Sequence, residues 1–282
     1  MEKCKTFCLM AVLISIFMFV GNLIAGEQGT IIAFVLALFV NFFSYFFSDK
    51  LILRHYKAQE VNVVSSPVMF RVMKRLAMKA DLPMPKIYVI EDNVPNAFAT
   101  GRNPAHAAVA ATSGLLDRLD ENELEGVLAH EMSHIRHYDI LISSIAAVFA
   151  GAIAMLSNSA GRNTYLTKKV RNNGNSLLLS LFLMPIAATL IRLSISRTRE
   201  YAADEGSARL TKHPEWLMSA LLKLEDFSKK FFLQNSTPQT AHMFIVNPLS
   251  NLNSKFSSLF STHPSTSDRI KRLKNLQKEA RL

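Results

Sequence analysis

Two uncharged apolar runs open the chain, at residues 7–25 and 30–48. Each is long enough to cross the hydrocarbon core of a bilayer as a helix. Gly26, Glu27, Gln28 and Gly29 between them predict a tight turn, so the pair reads as a transmembrane hairpin. A signal peptide is the rival for the first run, because Lys3 and Lys5 precede it. Leu23 stands before Ala25 where a cleavage site needs a small residue, and a second span follows at once, which favours an uncleaved anchor. Two more apolar runs follow past the middle, at 140–160 and 176–193. The former is rich in Ala, Ser and Gly, a composition that suits close helix packing in a membrane. The latter is short and carries Pro185 and Arg192. Full spanning by both would export the basic loop of Arg162, Lys168, Lys169 and Arg171, against the usual bias. Re-entrant insertion and a buried soluble pair therefore stand beside the spanning reading.

The polar remainder alternates short helical and strand patterns. Met69, Val72, Met73, Leu76 and Ala80 recur at helical spacing and predict a helix over 67–80, ended by Asp81-Leu82-Pro83. Residues 86–90 are β-rich, and 96–100 and 107–111 read as two strands joined by Gly101-Arg102-Asn103-Pro104. A helical turn follows at 113–118. Asp120 then makes an N-cap, with Glu123 three residues on completing a capping box. The helix it opens carries Leu124, Val127 and Leu128, and can run into the third apolar run without a break. Residues 231–260, rich in Ser, Asn, Thr and Gln, read as a mobile loop, and 267–282 as a helix. The chain divides into a hairpin (1–48), a polar part (49–139), an apolar helix pair (140–193) and a second polar part (194–282). The fold expected is mainly α, with a small β-sheet.

Charge gives this arrangement a direction. Lys and Arg number 32 against 22 Asp and Glu, a net charge of +10. Lys3 and Lys5 precede the hairpin, Lys50, Arg54 and Lys57 follow it, and its turn has no basic residue. Both ends of the hairpin, and the polar parts, are thus expected on the cytoplasmic side. With no zinc knuckle, RNP-like motif or long Lys/Arg tract, the basic excess points to a lipid bilayer and not to nucleic acid. Cys4 and Cys8 lie one helical turn apart and suggest no disulfide framework.

The chemistry sits in His130-Glu131-Met132-Ser133-His134. On a helix, residues four apart share a face, so both imidazoles can reach one zinc ion. Glu131 is displaced around the helix, where it can take a proton from a water that the metal activates. A catalytic zinc needs a third protein ligand and one open position. The Gly-x-x-His continuation of metzincins is absent, because Ile135-Arg136-His137 follows. Glu200, in Arg197-Thr198-Arg199-Glu200-Tyr201-Ala202-Ala203-Asp204, is the strongest candidate. Asp204 lies one turn further, placed to hydrogen-bond a ligand imidazole. The composition of this stretch also fits an exposed salt-bridged helix. His106 and His137 read as ordinary surface histidines.

These residues together carry a resemblance. HEMSH, the later RTREYAAD, Pro95-Asn96-Ala97-Phe98-Ala99-Thr100-Gly101 before the motif helix, and His263-Pro264 with Arg269-Ile270 near the end stand in an order similar to the M48 family of membrane zinc metalloproteases, its bacterial heat-shock members above all. The resemblance covers nearly the whole chain. It implies a gluzincin-type helical core, one Zn2+ per subunit held by His130, His134 and Glu200, and Glu131 as general base. It implies a substrate backbone paired along 96–100 with Asn96 near the scissile carbonyl, and His263 and Arg269 near the site, in oxyanion stabilisation. It further implies misfolded membrane proteins as substrates, cut on the cytoplasmic side of the bacterial inner membrane by a multi-pass enzyme.

Overall fold

The computed structural model of the chain describes residues 2–149, 196–230 and 264–279. The end of the third apolar run, the basic loop, the fourth run, the polar segment 231–260 and His263 lie outside the described residues.

The first two apolar runs form helix α1 (Glu2–His55), broken at Ala25 and Gly26, where φ is −142° and +59°. Gly26 takes the left-handed conformation without a Cβ penalty. The turn is therefore shorter than the four residues expected, and Glu27, Gln28 and Gly29 already belong to the second arm. Gly29 has a different use. A Cβ on Gly21 would stand 2.4 Å from the Gly29 carbonyl oxygen, so these two glycines set the close approach of the arms. Asn22 also donates to the Thr30 hydroxyl at 3.1 Å across them. The second arm runs past the expected end to His55. Ala25–His55 is the one helix among the described residues that is long and apolar enough to cross a membrane, and the apolar stretch of the first arm, Thr6–Phe19, is shorter. Phe7, Ile32, Phe39 and Phe42 stand exposed on the arms.

One sheet follows, in the order β1 (Gln59–Glu60), β2 (Lys86–Ile90), β4 (Ala107–Thr112), β3 (Ala97–Gly101). β2 runs parallel to β4, and the outer pairs are antiparallel. All six residues of β4, Ala-Ala-Val-Ala-Ala-Thr, are buried. Small side chains let the sheet be covered on both faces. Ala97, Val109 and Ala111 join the main core with Met69, Val72 and Leu76 of α2 (Pro67–Ala80). Phe98, Ala108 and Ala110 meet Ile52 and Leu53 at the end of α1. After the short α3 (Ser113–Leu116), α4 (Glu121–Arg136) opens on the expected capping box.

α4 does not run on into the third apolar run. It stops at His137, Tyr138 adopts a left-handed φ of +64°, and α5 (Asp139–Phe149) starts afresh. A residue in that conformation ends an α-helix and redirects the chain. α5 then packs Leu141, Ile142, Ile145 and Phe149 against Leu9 and Leu13 of the first arm. The remaining helices among the described residues are α6 (Arg197–Thr211), α7 (Pro214–Lys230) and α8 (Thr266–Glu279). α7 escaped the reading of apolar spacing. It crosses α4 so closely that a Cβ on Gly126 would stand 2.7 Å from the Leu217 nitrogen. α4 is the axis of the polar part, touching α2, β3, α6 and α7.

Candidate metal centre

His130 and His134 sit one turn apart on the buried length of α4, facing α6. Glu200, Ala203, Asp204, Ser207 and Ala208 form the buried stripe of α6 that faces back. Two small residues let these helices meet. A Cβ on Gly206 would lie 2.3 Å from the Ser133 hydroxyl. Ser207 donates to the Gly126 carbonyl at 2.7 Å. The approach brings Glu200 to the two imidazoles.

The Nε2 atoms of His130 and His134 are 3.2 Å apart. Glu200 Oε2 lies 3.7 Å from the first, and Oε1 3.5 Å from the second. A tetrahedral zinc bonded at 2.0–2.2 Å would hold its ligand atoms about 3.3–3.6 Å apart. The donor set and its spacing therefore fit such an ion. This trio is the group of potential metal ligands found among the described residues. The exposed salt-bridge reading of Glu200 does not hold, because Glu200 is buried among the imidazoles.

Each imidazole has its far nitrogen on a carboxylate. His130 Nδ1 is 3.0 Å from Asp204 Oδ1. Arg269 of α8 grips Asp204 with Nε at 2.9 Å and Nη2 at 2.6 Å. All three side chains are almost fully buried. Burial works against the charged Asp204, but the Arg269 guanidinium and the His130 imidazole together outweigh it and hold the carboxyl below its usual range. Arg269, which the resemblance sets near the site, thus lies behind Asp204, with Nη2 3.4 Å from His130 Nδ1. His134 Nδ1 is 2.9 Å from Asp139 Oδ2. Burial disfavours the protonated His134, yet Asp139, Glu200 and Glu131 prevail and push its pKa up to about 9.

Glu131 is buried beside them, and burial is the main cause pushing its carboxyl up. It accepts a hydrogen bond from the Ala99 backbone. That bond places the base on the outer edge of the sheet. Asn96 and Thr112 form a hydrogen-bonded pair, with Thr112 N–H donating to the Asn96 carbonyl at 2.9 Å. The antiparallel alternation then turns the N–H and C=O groups of Ala97, Ala99 and Gly101 away from β4. Gly101 N–H donates to the Ser144 hydroxyl of α5 at 3.3 Å, and Ser144 also bonds Thr100 at 2.7 Å. Asn96 itself is buried at the entry to this strand.

The structure thus gathers His130, Glu131, His134, Glu200, Asp204 and Arg269, sets Asn96 at the head of the edge strand, and leaves His263 outside the described residues. Sequence reasoning missed Asp139 and Ser144, and the contacts that Arg199 and Ala99 make. Asp139 is five positions past His134, a spacing that no regular helix turns inward. Its one signal was its place at the start of an apolar run, where an acidic residue caps a helix.

Residues 67–277 match the peptidase family M48. The chain is 59% identical over 279 residues to a protease HtpX homolog of Campylobacter hominis, covering 98% of this chain and 99% of that one. It is 49% identical over 279 residues to a protease HtpX homolog of Pyrococcus furiosus, covering 98% and 96%. Among solved structures, Ste24p of S. mikatae aligns with a TM-score of 0.51 at 18% identity over 96% of this chain. The chain spans 65% of that protein's length, and the likeness is one of fold.

Proposed function

The chain belongs to peptidase family M48 and is a metalloprotease, and on that premise we propose that it is a zinc-dependent membrane endopeptidase with His130, His134 and Glu200 as ligands and Glu131 as general base. The observation that carries the reading is the convergence of His130 Nε2, His134 Nε2 and the Glu200 carboxylate beside a buried Glu131. Zinc bound there would polarise the scissile carbonyl and make a water acidic enough to attack it. The protein's own residues do the rest. Glu131 takes the proton of the attacking water and delivers it to the departing amine. Burial, which raises its pKa, suits a group that must both accept and return a proton. Asp204, braced by Arg269, keeps the His130 ring in the tautomer that leaves Nε2 free.

The outward N–H and C=O groups of β3 offer an extended substrate main-chain partners, a mode that reads backbone more than side chains. Such pairing suits unfolded segments of varied sequence. In this reading Asn96, at the head of β3, would bond the substrate backbone next to the cleavage point. The apolar arms, with exposed Phe7, Phe39 and Phe42, support residence in a bilayer. The basic flanks support a cytoplasmic site on a multi-pass protein of the bacterial inner membrane, acting on misfolded membrane proteins.

The test uses the full chain in detergent. The protein is purified with chelator, zinc is restored, and cleavage of unfolded casein is followed beside Glu131→Ala. Zinc-dependent cleavage that Glu131→Ala abolishes is the expected result. Stoichiometric zinc without Glu131-dependent cleavage would overturn it in favour of a zinc-stabilised scaffold.

A further inference from the structure

We propose that Asp139 is a positioning residue for His134, and that it makes the metal affinity of the site depend on how α5 packs against the N-terminal arms. The inference rests on the zinc reading above. Three contacts of α5 carry it. At its first residue, Asp139 Oδ2 holds His134 Nδ1 at 2.9 Å from a buried position. Further along, Ser144 holds Gly101 N–H and Thr100 of the edge strand. On its apolar face, Ile145 is fully buried and packs with Leu9 and Leu13 of the first arm.

The local backbone explains why Asp139 can reach. Tyr138 in the left-handed conformation folds the chain back at the end of α4. Asp139 thereby faces the helix it has just left. Its buried charge is answered from a second side, because Arg199 Nη1 stands 3.9 Å from Asp139 Oδ1. Arg199 precedes the ligand Glu200 on α6, so the carboxylate lies between both ligand-bearing helices. An imidazole whose Nδ1–H is held by a carboxylate presents a fixed, more basic Nε2 to a metal. The other ligand histidine is braced from α6 and α8, within the polar core. His134 is braced from a helix that rests on the arms. A shift of α5 therefore moves one metal ligand and the cap of the substrate edge together.

The experiment measures zinc affinity by chelator competition on the full chain in detergent, with the spectrum of the cobalt-substituted protein as a readout of ligand geometry. Asp139→Ala is expected to lose about 10–100-fold in affinity and to shift the cobalt spectrum. Asp139→Asn, which still offers an oxygen to Nδ1–H, should recover much of that loss. Ile145→Ala should weaken zinc more mildly, and the effects of Ile145→Ala and Asp139→Ala should not add. Wild-type affinity in Asp139→Ala would overturn the proposal. So would equal losses in the Ala and Asn variants with an unshifted cobalt spectrum and an earlier metal-free unfolding midpoint, which would make Asp139 a structural residue only. Strictly additive losses would overturn the link to the arms. A wild-type chain that takes up no zinc at all would instead sink the reading on which this rests.

Discussion

α4 buries carboxylates on two faces and neutralises them differently. Toward α2 and α7, Glu123 bonds Lys223 and Ser219 at 2.6 and 2.7 Å, and Glu125 meets Arg75 and, at 3.2 Å, Lys79. Long cations at the rim reach in to each buried acid. Toward α6, four buried carboxylates, Glu131, Glu200, Asp204 and Asp139, gather around two imidazoles. Arg269 is engaged with Asp204, and Arg199 Nη1 stands 3.9 Å from Asp139. An ionised carboxylate taken from water is costly unless paired. The first face is complete as a protein structure. The second gathers its acids around three atoms, from His130, His134 and Glu200, that are spaced to hold one divalent cation. Buried acid alone does not mark the site, since both faces have it; the convergence of two imidazoles with Glu200 does.

Changes at each face should break this contrast in different ways. The largest effect is expected from Glu131→Gln, which should lower turnover of unfolded casein about 10²–10⁴-fold. Bound zinc, measured by metal analysis, should stay at the wild-type level.

Next is pH. Zinc takes a neutral imidazole, while His134 of the metal-free protein keeps its proton up to about 9. Zinc uptake should therefore release that proton, and apparent affinity should fall about tenfold per pH unit below it. Calorimetry in buffers of different ionisation heat checks the proton count, and no release at neutral pH would contradict the assignment. The same proton stabilises the metal-free fold. Since the folded pKa is raised, that contribution is complete below the ordinary value of 6.5 and is lost as pH rises through about 9.

Gly206→Ala should cost about 1–3 kcal/mol by forcing α6 off Ser133. It should weaken zinc as well, because Glu200 moves with the helix. Glu125→Ala should lower denaturant stability by only about 1 kcal/mol, since Arg75 and Lys79 remain half in water. Its zinc affinity should be unchanged, and a loss there would merge the two faces.

Local patterns were legible wherever sequence-near residues decide structure. The spacing of Met69, Val72, Met73 and Leu76 gave α2, and Asp120 with Glu123 gave the start of α4. The i, i+4 spacing of His130 and His134 gave the metal face. Glu200 needed a distant helix and was legible because its stretch kept a recognisable order. What remained hidden depends on backbone reversals and crossings. Tyr138 carries no residue signal for its left-handed turn, so both the break before α5 and the role of Asp139 were invisible. Gly206 and Gly126 read as mild helix weaknesses, whereas they are contact points for Ser133 and Leu217. Ala99 acts through its main chain, which no side-chain pattern records.

The edge strand has one more consequence. Of the outward donors on β3, Ala99 N–H is held by Glu131 and Gly101 N–H by Ser144. A substrate pairing there as proposed would have to exchange its carbonyls for the partners of those two groups. Such an exchange yields little net gain per bond, so a folded protein gains nothing by fraying to reach it. On that reading, a polypeptide already extended and deprived of its own partners would have the most reason to stay. On the proposed pairing, the accessibility of the client, more than its sequence, would be the selection rule.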